Sequence, residues 1–158
     1  GWESFISEPV MIASAEKFST YQIEDYVTKS TLPYTNYEGK GFIEISQEKN
    51  KKIVFQIKVA TAGKYLIDFR YANGSGPWNT DNKCAIRSLY TNGSYQGVMV
   101  FPQRGQGEWS DWGWSNSYSV TLNGGTNEIN LIFEPWNNNM NVDVNTALLD
   151  YMRVIRID

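Results

Sequence analysis

Apolar and polar residues alternate with a period of two along most of the chain. In "KKIVFQIKVA", Ile53, Phe55, Ile57 and Val59 fall on one face, and Val54, Gln56 and Lys58 on the other. "GKYLIDFRYA" repeats the pattern, with Tyr65, Ile67, Phe69 and Tyr71 opposite Leu66, Asp68 and Arg70. In "NSYSVTLNGGTNEINLIF", Tyr118, Val120 and Leu122 are expected to face Ile129, Leu131 and Phe133 across a hairpin that turns at Asn123-Gly124-Gly125. "LYTNGSYQGVMVF" carries a second hairpin signal at Asn92-Gly93, and "ALLDYMRVIRI" reads as a closing strand. Period two, β-branched and aromatic enrichment and turn dipeptides between runs predict strands. No helical stripe competes with them. Roughly ten short strands with turns about every 8–12 residues predict an all-β, antiparallel β-sandwich of the jelly-roll kind.

Loops of such a sandwich gather at its two ends, where function is usually placed. Three stretches, 71–82, 103–116 and 134–145, are rich in Asn, Gly and Trp, and they hold every tryptophan except Trp2. Trp78 lies beside Asn79-Thr80-Asp81-Asn82, and Trp136 precedes Asn137-Asn138-Asn139. An amide is both donor and acceptor, as a sugar hydroxyl requires. An indole face matches the apolar C–H face of a pyranose. The pattern therefore points to carbohydrate recognition. In "GEWSDWGWSN", Trp109 is expected to point inward and seal the sandwich. Trp112 is expected to serve as the sugar plate, with Trp78, Trp114 and Trp136 at its rim.

Composition removes several other functions. The 158 residues suit one domain, and 41% hydrophobic with 20% charged residues is a globular composition. With 14 basic against 17 acidic residues, phosphate-driven nucleic-acid binding is not expected. No apolar run approaches the ~18 residues a membrane helix needs. The single cysteine, Cys84, sits in an alternating strand and reads as a small core residue. The sequence has no histidine, which excludes Ser-His-Asp, Cys-His and histidine-metal chemistry. "NGSGPWNTDN" lacks the Lys-Ser/Thr end of a P-loop. Glu108, Asp111, Glu134 and Asp143 supply carboxylates for a glycosidase pair, but they read more simply as solvated loop groups. No catalysis is expected.

Several segments, in order, resemble the carbohydrate-binding modules of families 6 and 35, galactose-binding-like β-sandwiches attached to glycoside hydrolases and polysaccharide lyases. These are "YQIEDYV" (21–27), "YEGKGFIEI" (37–45), "VATAGKYLIDFRYANG" (59–74), "GEWSDW" (107–112), "VTLNGGTNEINLIF" (120–133) and "LLDYMRV" (148–154). The resemblance covers residues 20–158, and residues 1–19 are expected as a linker or added strand. It implies a structural calcium held by Gln22, Glu24 and Asp150, with Glu16 as a competitor for Glu24. Gln22 stands where Glu is frequent in the family, leaving one charge fewer. The resemblance also implies a sugar site at one end of the sandwich, nearest to Tyr37, Trp112 and Asn141. Asn73, Trp78, Trp114, Trp136 and Asn139 belong to the same loop set. Asp81 or Asp143 could hold a second calcium for a uronic acid.

The expectation is a monomeric, non-catalytic module that targets a tethered catalytic domain to an oligosaccharide or polysaccharide. Its setting would be extracellular, periplasmic or cell-surface. The chain starts at Gly1-Trp2 without a signal peptide and reads as a piece of a longer exported protein. The alternative is a structural sandwich packed on a catalytic domain, without a ligand of its own.

Overall fold

The computed structural model describes residues 18–76, 83–138 and 145–157. Among these, ten strands form two antiparallel sheets. They are β1 (Phe18–Gln22), β2 (Ile43–Ile45), β3 (Lys52–Val59), β4 (Gly63–Ala72), β5 (Ala85–Thr91), β6 (Ser94–Phe101), β7 (Gly113–Trp114), β8 (Tyr118–Leu122), β9 (Gly125–Ile132) and β10 (Ala147–Arg156). One sheet runs β3-β9-β5-β6. The other runs β1-β10-β4-β7, with β2 also on β10 and β8 also on β4. β1 starts at Phe18, so the first sheet strand begins inside the segment expected as the N-terminal extension.

The alternation places the core where the sequence puts it. Ile53, Phe55, Ile57, Tyr65, Ile67, Phe69 and Tyr71 all enter one buried cluster between the sheets. Asn92-Gly93 turns β5 into β6 with φ of 50° and 84°, the two positive values that a type I′ hairpin requires.

The other expected hairpin is not one. β8 pairs with β4, Tyr65 opposite Val120, whereas β9 pairs with β3 and β5. The chain crosses from one sheet to the other at residues 123–124, so Val120 and Leu122 meet Ile129 and Leu131 through the core. Alternation fixes which face of a strand is apolar but not which strand lies beside it. β3 and β4 are divided between the two sheets in the same way.

Candidate functional site

Leu32, Tyr34, Glu44, Trp109, Thr146 and Leu148 line a mostly apolar pocket of about 110 Å³ at one end of the sandwich. Its main wall is a pair of half-buried rings, Tyr34 and Trp109, nearly parallel at 22° with centroids 5.9 Å apart. Glu44 supplies the acid, its carboxylate accepting from Ser30 Oγ at 2.7 Å and from Lys49 Nζ at 3.2 Å. Aromatic faces beside a carboxylate and the Thr146 hydroxyl can hold the apolar face and the hydroxyl groups of a sugar together.

The "YANG" segment explains how Trp109 is placed. Asn73 is fully buried. Its amide donates to the Lys83 and Phe101 carbonyls, each at 2.9 Å, while its Oδ1 caps the Ser75 N–H. Gly74 then lets the next loop lie against it. A Cβ at Gly74 would stand 2.7 Å from the Glu108 nitrogen and 2.9 Å from Trp109 Cδ1. Because one obstacle is backbone, Gly74→Ala should push Trp109 away and cost about 1–3 kcal/mol, as overpacking does. Urea unfolding would show the loss, and a near-wild-type midpoint would refute this account of the glycine.

Trp112 is the more buried of the two neighbouring tryptophans, the reverse of the expected order. Trp112, expected as the exposed plate, is buried in a small cluster with Phe42, Ala72 and Leu148, against which Tyr34 and Trp109 pack. Its Nε1–H donates to the Thr35 carbonyl at 2.7 Å, and the Arg70 guanidinium stands 5.7 Å from its ring. A ring so enclosed cannot lie flat on a sugar, so its surface role is withdrawn. Trp109, expected inside, forms the pocket wall. Asn73 is likewise a fixed part of the fold rather than a surface amide. Tyr37 is exposed and packs on Phe42 at 5.3 Å.

Neither Trp114 nor Trp136 lines this pocket. Trp114 is on β7, with the Arg153 guanidinium 3.7 Å from its ring centroid and Tyr151 edge-on. Arg153 in turn makes a two-point pair with buried Asp68 at 2.9 and 2.6 Å. Trp136 stands against the other sheet. Trp78, Asn139 and Asn141, with Glu16, Asp81 and Asp143, lie outside the described residues. Of the carboxylates weighed for a glycosidase pair and expected as solvated loop groups, Glu108 is exposed on its loop. Asp111 faces Arg104 at 3.4 Å, and Glu134 faces Tyr90.

Sequence reasoning missed Tyr34. Nothing in its local pattern marks it, because its partner is 75 positions away and the bridge between the two loops is the Ser110 Oγ that accepts from the Thr35 N–H at 2.9 Å.

A second cluster gathers at the end of β1. Gln22 closes that strand, and Glu24 lies in the short 3₁₀ segment Ile23–Asp25. Asp150, fully buried on β10, accepts from Arg70 Nη1 at 2.6 Å and from the Glu38 N–H at 2.8 Å. Both contacts use Oδ2, and Asp150 Oδ1 and Glu24 Oε1 are buried without a partner. Desolvation pushes the Asp150 carboxyl up to about 6, against the pull of the Glu38 N–H and Arg70, with Glu24 adding to the rise. The Gln22 carbonyl oxygen faces only acceptors, and turning the amide would let it donate to Glu24 Oε2 and the Glu38 carbonyl, each at 3.2 Å. Gly39, at φ 78°, closes the cluster, since a Cβ there would stand 2.7 Å from Gln22 Oε1 and 3.1 Å from Glu24 Oε2. Among the described residues no three acidic side chains gather as a metal-binding group, and Asp150 already pairs with Arg70 through Oδ2, so Glu24 Oε1 and Asp150 Oδ1 are the two hard oxygen donors left over here.

The fold and its loop-end pocket define an antiparallel β-sandwich module. More narrowly, the fold is that of the family 35 carbohydrate-binding modules. The module from Clostridium thermocellum superposes with a TM-score of 0.65 at 22% identity, over 89% of this chain and 98% of that one. A cycloisomaltooligosaccharide glucanotransferase from Paenibacillus sp., complexed with cycloisomaltoheptaose, matches at 27% identity and a TM-score of 0.66, over 85% of this chain and 18% of that enzyme. The cycloisomaltooligosaccharide glucanotransferase of Niallia circulans is 29% identical over 120 residues, 74% of this chain and 12% of the enzyme. The chain spans between 8% and 12% of the length of the curated relatives it matches. No family model matches the chain.

Proposed function

We propose that this chain is a non-catalytic carbohydrate-binding module of a larger, exported glycan-active protein, and that it binds α-1,6-linked glucan in the pocket walled by Tyr34 and Trp109. The observation that carries the reading is that stacked pair, held open by the Asn73-Gly74 loop over a pocket with few polar groups. The glucan class is taken from the relatives, which include a 1,6-α-glucosyltransferase and an isomaltosyltransferase of Sporosarcina globispora. Among the described residues no helix is long and apolar enough to cross a membrane.

The module works by concentration. A weak sugar contact raises the local concentration of the tethered catalytic domain on its polymer. Calcium is part of the proposal. Gln22, Glu24, Asp150 and the Glu38 carbonyl would hold it, and its charge would offset the carboxylates buried where β1 meets β10.

Calorimetric titration with linear isomalto-oligosaccharides tests the reading. Trp109→Ala should weaken binding by about tenfold or more, since a central aromatic contact is worth roughly 1.5 kcal/mol or above, and should destabilise the fold less than Trp112→Ala does, because Trp109 is only half-buried. If wild-type protein binds none of a panel of neutral glucans, the structural-sandwich alternative becomes the better account.

A further inference from the structure

Trp136 and Tyr95 are the most exposed large hydrophobic residues among those described, at 54% and 50%. They touch each other edge-on, centroids 5.5 Å apart at 73°. Tyr90 meets Tyr95 in the same manner at 5.6 Å, which makes a continuous cluster of three rings. The Tyr90 hydroxyl donates to both oxygens of Glu134, at 2.9 and 3.1 Å.

This cluster lies on the four-stranded sheet. Tyr90 and Tyr95 are opposite each other on β5 and β6, whereas Tyr34 and Trp109 pack on the cluster that includes Leu148 of the six-stranded sheet. The two aromatic surfaces therefore belong to different layers.

The segment that carries Trp136 is anchored firmly. Asn137 is buried, donates to Ser88 Oγ at 3.2 Å, and accepts from the Glu134 N–H at 2.6 Å. Its carbonyl accepts from buried Asn145 at 3.0 Å, and Asn145 Oδ1 accepts in turn from the Ile86 N–H at 2.9 Å. Buried amides thus fix the backbone on both sides of an indole that the fold leaves uncovered. Trp114 shows the contrast, because a guanidinium lies against its ring.

We propose that Trp136, Tyr95 and Tyr90, with Glu134, form a second glycan-binding platform that holds one or two neutral pyranose units. The inference rests on the carbohydrate-binding reading above and adds a site to it. Ring faces would take the apolar sugar face, and the Glu134 carboxylate has lone pairs left to accept from sugar hydroxyls. Its negative charge favours a neutral hexose over a uronic acid. Three partly exposed rings offer on the order of 300 Å², well below the ~800 Å² per partner of a stable protein interface. With two platforms on one module, a polymer long enough to reach both is held by effective concentration, and a short oligosaccharide is not.

The test uses the 158-residue chain, with gel retardation in dextran for the polymer and calorimetry with a linear isomalto-oligosaccharide for the short ligand. Trp136→Ala and Glu134→Gln are compared with Trp109→Ala, and thermal unfolding of each checks the fold. Trp136→Ala should weaken dextran binding by about tenfold or more and change oligosaccharide binding at the Tyr34–Trp109 pocket little. The double variant Trp109→Ala/Trp136→Ala should bind neither. If Trp136→Ala and Glu134→Gln bind dextran as wild type does while Trp109→Ala binds nothing, the platform is refuted and the module reading stands. If Trp109→Ala binds normally and Trp136→Ala does not, the platform stands and the pocket assignment falls. If wild type binds no neutral glucan, both fall.

Discussion

Trp112→Ala lowers the free energy of unfolding by about 3–5 kcal/mol, the usual cost of truncating a large buried aromatic. The indole fills the space between Phe42, Ala72 and Leu148, and alanine leaves a cavity there. It also strands the Thr35 carbonyl, which loses its 2.7 Å donor. Urea titration at fixed calcium reads the change, with Trp109→Ala as the comparison. A loss under about 1 kcal/mol would mean that the ring does not close this end of the sandwich. The pair of variants separates stability from binding, since one ring closes the fold and its neighbour three positions earlier faces the pocket.

Chelation of calcium should produce the second large effect. A ligand that binds only the native state at 100 times its dissociation constant adds about 2.7 kcal/mol. For a domain of this size that is a melting shift of roughly 5–10 °C. Differential scanning calorimetry in EDTA and in excess calcium measures it. Asp150→Ala should abolish the response, although it also removes the partner of Arg70. Gly39→Ala is the cleaner variant, because it keeps every charge and places a methyl group against Gln22 and Glu24. Equal melting temperatures in EDTA and calcium, for protein free of metal by elemental analysis, would refute the ion.

The sandwich was legible because burial writes itself into alternation. Phe55, Ile67, Val120 and Leu131 are all core residues, and each has a polar residue on at least one side. Strand partnership was less legible. Asn92-Gly93 fixes a hairpin through backbone geometry, whereas the Asn123-Gly124-Gly125 turn serves equally to carry the chain between sheets. Gln22, Glu24 and Asp150 were readable as a set only through resemblance. The Glu38 carbonyl in it leaves no side-chain signature, although Gly39 beside it marks the bend. The roles of Trp109 and Trp112 could not be divided by sequence. Both follow loop formers, and which one turns inward depends on Thr35, Phe42 and Leu148, all remote in the chain.

β10 pairs with β1 from Tyr151 to Ile155, with β2 from Ala147 to Leu149, and with β4 along nearly its whole length. The last described strand therefore lies between the earliest described strands and β4. During synthesis, which delivers about 5–20 residues each second, β1 and β4 emerge without the strand that must separate them. The β5–β6 hairpin can close on its own while still tethered to the ribosome, but the six-stranded sheet waits for Arg156 to clear the exit tunnel. Until then β1 and β4 carry open edges of the kind that chaperones and neighbouring nascent chains can capture. The six-stranded sheet thus closes only once β10 has been delivered to stand between β1 and β4.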